Sequence, residues 1–112
     1  MTWNLFIDDE RMPTDVTWGN EAFYSVYPWT IARNLNEVQT LVADFGFPQF
    51  ISFDHDLSSN EPSGKDIANW LVAKDLDGVY KFPTNFQYFV HSRNPVGKVN
   101  IEGLLNDYIC NR

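Results

Sequence analysis

Seven residues constrain this chain more than any others: Ile51-Ser52-Phe53-Asp54-His55-Asp56-Leu57. An apolar run that begins at Phe50 ends abruptly in a charged triplet. A run this short and continuous fits a strand buried inside a parallel sheet. A carboxylate at the carboxyl end of such a strand is costly unless it is paired, hydrogen-bonded or bound to a cation. It also stands where ligands bind in open α/β sheets, in the crevice beyond the strand ends. Two other runs end in the same way. Trp3 to Ile7 leads into Asp8-Asp9-Glu10-Arg11, and Phe86 to Val90 leads into His91-Ser92-Arg93-Asn94-Pro95. Three apolar strands that each discharge into polar groups point to one shared site.

The segments between these runs supply helices. Leu35, Val38, Leu41, Val42 and Phe45 recur at helical spacing, with Asn34 or Asn36 as cap and Gly46 and Pro48 as the stop. Gly64 to Asp75 forms a second helix with Ile67, Ala68, Leu71 and Val72 inward. Asn94 caps a third at Pro95, whose buried face is expected from Val96, Val99, Leu104, Leu105, Tyr108 and Ile109. Trp29 to Ala32 adds a fourth strand, whereas Glu21 to Tyr27 is apolar on both alternating faces and fits a short strand or an irregular segment equally. The polar stretch from Leu57 to Gly64 is expected to lie over the site as a lid. Strands separated by helices imply parallel βαβ units with right-handed crossovers. Parallel order puts all the strand exits on one edge, which gathers Asp8, Asp9, Asp54, Asp56, His91 and Ser92.

With 112 residues, 44% of them hydrophobic, the chain is expected to form one domain over residues 1–112 around a single core. The net charge of −7 disfavours direct binding to duplex nucleic acid, which needs a basic footprint, but is compatible with a small phosphorylated ligand held through a cation. Cys110 is the only cysteine, so it has no partner within the chain and is read as a packing residue of a protein in a reducing compartment. Neither a signal peptide nor a membrane-spanning run is visible, and a cytoplasmic location is expected.

Assembled in this order, the residues resemble a response-regulator receiver domain. Asp8 and Asp9 match the acidic pair after its first strand, Asp54 the aspartate that ends its third, and Ser92 the serine or threonine after its fourth. The chain is more closely similar to a small receiver-derived family of bacteria and bacteriophages predicted to process cyclic phosphates. Leu5-Phe6-Ile7-Asp8-Asp9-Glu10-Arg11, Ser52-Phe53-Asp54-His55-Asp56-Leu57, Gly64 with Asp66, and His91-Ser92-Arg93-Asn94-Pro95-Val96-Gly97 carry that similarity. It implies a receiver-like (flavodoxin-like) three-layer α/β fold with a short, mostly parallel sheet of about four strands, the Trp3 strand central. For a phage-encoded protein the compartment would be the host cytoplasm. Two departures argue against phosphorelay signalling. No fifth strand ending in a lysine follows, with neither Lys65 nor Lys98 at a matching strand end, and residues 11–28 replace the usual helix between the first two strands.

The expected chemistry follows from residue types. Asp8, Asp9 and Asp54 are the metal candidates, because clustered like charges repel unless a cation offsets them, and hard oxygen ligands favour Mg²⁺ or Mn²⁺. His55 and His91 are the only histidines and are suited to act as base and acid in opening a cyclic phosphate, with Asp54 beside them. His91 is favoured because it closes a strand, whereas alternation sends His55 to the face opposite Asp54 unless the chain turns. Ser92, Arg93 and Asn94, with backbone N–H groups at the start of the last helix, are candidates for holding phosphate oxygens. Asn94 also serves as a plain helix cap, and Glu10 and Arg11 as a surface ion pair. Two functions follow: a metal-assisted phosphoesterase acting on cyclic phosphates of nucleotide, RNA or ADP-ribose type, or a non-catalytic module. The second would bind a phosphorylated ligand, or a protein partner through the aromatic stretch from Trp18 to Trp29.

Overall fold

In a computed structural model, the structure describes residues 3–15, 28–54, 63–84, 86–91 and 94–111. Four strands form one parallel sheet: β1 (Asn4–Ile7), β2 (Thr30–Ala32), β3 (Phe50–Phe53) and β4 (Gln87–Val90). Their order is β2-β1-β3-β4, the doubly wound order of a receiver-like sheet, with β1 internal as expected. The register runs Phe6 to Ile31, Phe6 to Ser52 and Ser52 to Phe89, so these four side chains share one face. Leu5, Ile7, Ile51, Phe53 and Val90 take the other.

Three helices follow the expected punctuation. α1 (Leu35–Phe45) starts at Asn34, whose side chain accepts the Glu37 N–H. It ends at Gly46, where the backbone turns to φ +77° and its N–H closes on the Val42 carbonyl; only glycine adopts such a φ without strain. α2 (Gly64–Asp77) opens with a reciprocal capping box between Ser63 and Asp66. α3 (Pro95–Asn111) begins at a proline already set for a first helical turn.

All three helices send their buried residues into one cluster with the Leu5–Ile7–Ile51–Phe53–Val90 face: Val38 and Val42 from α1, Ile67, Ala68 and Leu71 from α2, Ile101 and Leu105 from α3. The other face carries a separate small cluster, Phe6 with Trp29 and Ile31. Two of the three expected layers are therefore described; residues 16–27, which include the ambiguous Glu21–Tyr27 stretch, lie outside the described residues, as does the expected lid over 55–62.

Several packing expectations are corrected. Val96 and Val99 are exposed on α3, because its inward stripe runs through Gly97, Ile101 and Leu105. Phe45 is exposed at the end of α1, and Cys110 is exposed rather than packed. Asp75, a buried carboxylate away from the strand exits, is a structural tie. It accepts the Phe82 N–H at 2.9 Å and the Tyr108 hydroxyl, joining the end of α2 to the following loop and to α3. No helix among the described residues is long and apolar enough to cross a membrane.

Candidate metal and phosphate site

The three strand exits are held in register by one further rung of the ladder. The Asp8 N–H donates to the Ala32 carbonyl at 3.2 Å, the Asp54 N–H to Ile7 at 2.9 Å, and the His91 N–H to Phe53 at 2.9 Å. Each of these residues thus stands one step beyond a strand that is still paired. Two-residue alternation then puts Asp8 on the face of Phe6, Asp54 on that of Ser52 and His91 on that of Phe89, away from the helices. The outcome is a group of three buried side chains, Asp8, Asp54 and His91, each of which offers one ligand atom within 4.8 Å of those of the other two. They come from positions far apart in sequence, and the parallel order puts them on one edge of the sheet.

His91 on β4 and Asp8 on β1 are separated by β3, and Ser52 explains how they meet. Its small side chain lets the imidazole lie across β3, stacked on Phe6 at 4.4 Å between ring centroids and 6° between planes. Nδ1 reaches the Ser52 hydroxyl at 2.6 Å and Nε2 reaches Asp8 Oδ2 at 3.0 Å. An ionised carboxylate only accepts, so Nε2 carries the proton, and in the neutral ring Nδ1 accepts from Ser52. The resulting Ser–His–Asp chain has the membership of a hydrolase triad but not its exposure. Ser52 is 0% exposed, inside a paired strand, with its hydroxyl engaged by the ring. It is a positioning residue for the ring.

Asp8 is held from every side. Burial alone would raise its pKa, but the hydrogen bond from His91, those from the backbone N–H groups of Arg11 and Glu10, and the charge on His91 when protonated hold its carboxyl well below the usual carboxylate range. Oδ1 accepts both backbone N–H groups at 2.9 Å, bending the chain back after β1 in a side-chain-closed turn. Arg33, just beyond β2, braces that turn from outside. Its Nη1 donates to the carbonyls of Asp8 at 2.9 Å and Arg11 at 2.8 Å, and its Nη2 reaches Met12 Sδ at 3.5 Å. The reversal returns the Arg11 guanidinium to the strand exits, where Nη1 lies 3.4 Å from Asp8 Oδ2 and 3.7 Å from Asp54 Oδ2.

The expected site residues therefore divide. Asp8, Asp54 and His91 converge, and Asp9, half-buried beside them, is not part of the converging group. Asn94 precedes α3 with its Oδ1 accepting the Gly97 N–H at 3.0 Å, the geometry of a helix cap. His55, Asp56, Ser92 and Arg93 lie outside the described residues. Arg11, Ser52 and Arg33 were not legible as site residues. The signals available were Ser52 itself, a lone hydroxyl inside an otherwise apolar strand, and the place of Arg11 in the Leu5–Arg11 segment that carries the family resemblance.

Two carboxylates and an imidazole converging in a buried site form a donor set that fits a divalent cation. The carboxylate oxygens suit Mg²⁺ or Mn²⁺, whereas the imidazole would join as a ligand only by giving up its Nε2 proton and its bond to Asp8, so the set does not choose the metal. Comparison with curated proteins gave no sequence match. Among solved structures, one whose title describes a yeast Spc42 trimeric coiled coil, amino acids 181–211, fused to another protein aligns over 97% of this chain and 79% of its own, at 15% identity and a TM-score of 0.50. That likeness concerns the fold alone. The family described as cyclic-phosphate processing receiver domain matches residues 3–107, a span that contains all four strands and every converging residue. The parallel sheet, its strand order and the acidic cluster at its exits agree with that match, and the chain belongs to the cyclic-phosphate processing receiver domain family.

Proposed function

We propose that the domain is a metal-assisted phosphoesterase that opens cyclic phosphates. The observation that carries this reading is the convergence of Asp8, Asp54 and His91 within 4.8 Å at the strand exits of a chain from this family. Asp8 and Asp54 are the residues that would hold Mg²⁺ or Mn²⁺. A divalent ion bound there would supply a nucleophile at neutral pH and offset charge on the phosphoryl oxygens. The reaction adds water to phosphorus and breaks one ring P–O bond, so one proton leaves the water and one is delivered to the departing oxygen. His91 has both ring nitrogens engaged, by Ser52 and Asp8, which assigns it to orienting Asp8 and holding a proton at Nε2. The general acid then falls to His55, one residue after Asp54 in sequence. Ser92, Arg93 and Asn94 follow β4 and are the residues assigned to phosphate oxygens, the N–H groups at the start of α3 assisting.

The same engagement of His91 favours a second reading, a module that binds a phosphorylated ligand without turning it over. One experiment separates them: a screen with Mg²⁺ and with Mn²⁺ against cyclic phosphates of nucleosides, oligonucleotides and ADP-ribose derivatives, with the Asp54→Asn protein as control. Ion-dependent ring opening that is lost in the control is the expected result. Ligand binding without turnover would assign the binding module instead.

A further inference from the structure

We infer that Arg11 is the resident counter-cation of the site, standing between Asp8 and Asp54 until a divalent ion takes its place, and that this exchange couples ion binding to phosphate binding. The inference rests on the metal reading above. Arg11 Nη1 lies 3.4 Å from Asp8 Oδ2 and 3.7 Å from Asp54 Oδ2, the two carboxylates that would hold the ion. An ion in contact with those oxygens sits close to about 2 Å from each, so the guanidinium cannot keep its place without a close approach of like charges.

The position of Arg11 is built rather than incidental. Its backbone N–H is held by Asp8 Oδ1 and its carbonyl by Arg33, so the main chain at Arg11 is fixed on both sides while the side chain retains a way out. That side chain is 33% exposed, against 1% and 5% for the two carboxylates it bridges. The buried anions stay, and the cation is the group able to move. Displaced toward solvent, the guanidinium remains tethered beside the ion, where the oxygens of a phosphoryl group offer it an anionic acceptor in place of the two carboxylates it has just left. Binding of phosphate then relieves the repulsion that opposes the ion, and by linkage each favours the other.

The test is calorimetric titration of Mg²⁺ into the wild-type and Arg11→Met proteins, each with and without inorganic phosphate, alongside Arg11→Lys. Methionine keeps most of the side-chain volume, and thermal unfolding establishes that each variant is folded. Removal of the charge is expected to tighten Mg²⁺ on the order of tenfold in the absence of phosphate. In the wild-type protein phosphate should tighten Mg²⁺, and in Arg11→Met that gain should vanish, with Arg11→Lys between the two. Equal Mg²⁺ affinity in wild-type and Arg11→Met, or a phosphate gain that survives the substitution, overturns the inference and leaves the metal reading standing. No Mg²⁺ binding by either protein overturns both.

Discussion

The two faces of the sheet are made by the same strands from alternate residues, yet they are held together differently. Toward the helices, Leu5, Ile7, Ile51, Phe53 and Val90 meet Val38, Ile67, Leu71 and Ile101 in an apolar cluster, with buried Asp75 tying its Phe82 and Tyr108 margin. On the other face, Phe6 carries the His91 ring, which bonds Ser52 and Asp8, with Asp54 and Arg11 beside them. The first face depends on volume and area, which neighbours of similar size supply interchangeably. The second depends on partners, so removing one group leaves another buried and unsatisfied. Period-two alternation thus separates what stabilises this domain from what equips it.

The largest effect should come from the helix face. Leu71 is fully buried, and Leu71→Ala is expected to cost about 2–5 kcal/mol in urea denaturation. Its response to Mg²⁺ or Mn²⁺ should survive wherever the protein remains folded, because no group of the converging trio is touched. A variant that kept its stability and lost the ion response would mean that the two faces are not separate.

On the opposite face, His91→Phe keeps a flat ring to stack on Phe6 but removes both nitrogens, so Asp8 Oδ2 loses a donor and the Ser52 hydroxyl its acceptor. The expected loss is about 1–3 kcal/mol, smaller than that of Leu71→Ala because the site keeps a full-sized ring and loses only its polar partners. A His91→Phe protein as stable as the wild type would show that packing alone holds this face as well.

That contrast also accounts for what the sequence made legible. The helix face follows from periodicity, since Val38–Val42 and Ile67–Leu71 recur at helical spacing. Asp8, Asp54 and His91 follow from topology, because an apolar run ending in a polar group is a signal that parallel order turns into proximity. Arg11 follows from neither. It reached the site through the reversal closed by Asp8 Oδ1, a bond between a side chain and a backbone that no periodicity records. Arg33 is similar, bonding carbonyls, which every residue has. Asp9, adjacent to Asp8 and identical in chemistry, falls in the reversal that Asp8 closes, beyond the end of β1, and is not among the converging groups.

The Asp8 carboxyl gives the polar face its own pH signature. Its folded pKa lies below the ordinary aspartate value of 3.8, so it contributes stability that is fully present above about pH 4 and is lost as pH falls below it. Asp8→Asn keeps an oxygen for the N–H groups of Glu10 and Arg11 while removing the titration. The acid limb of the melting temperature against pH, measured without divalent ions, should therefore be shallower in the variant than in the wild type. Parallel limbs would show that Asp8 is not the carboxylate whose ionisation the fold uses.

The smallest effect is expected where the sequence misled. Helical spacing on α3 offers two apolar stripes, one through Val96 and Val99 and one through Ile101 and Leu105, and counting residues cannot choose between them. Tertiary placement does. Tyr88 on β4 reaches the Glu102 carbonyl and the Asn106 side chain, and Tyr108 reaches Asp75, which together turn Ile101 and Leu105 inward. Val99 lies two residues from Ile101, about 200° around the helix, and is 65% exposed. Valine and serine have similar helix propensities, so Val99→Ser should stay within about 0.5 kcal/mol of the wild type in urea denaturation. A loss several times larger would put Val99 under cover. It would also turn α3 away from the rotation that its bonds to Tyr88 and Asp75 require.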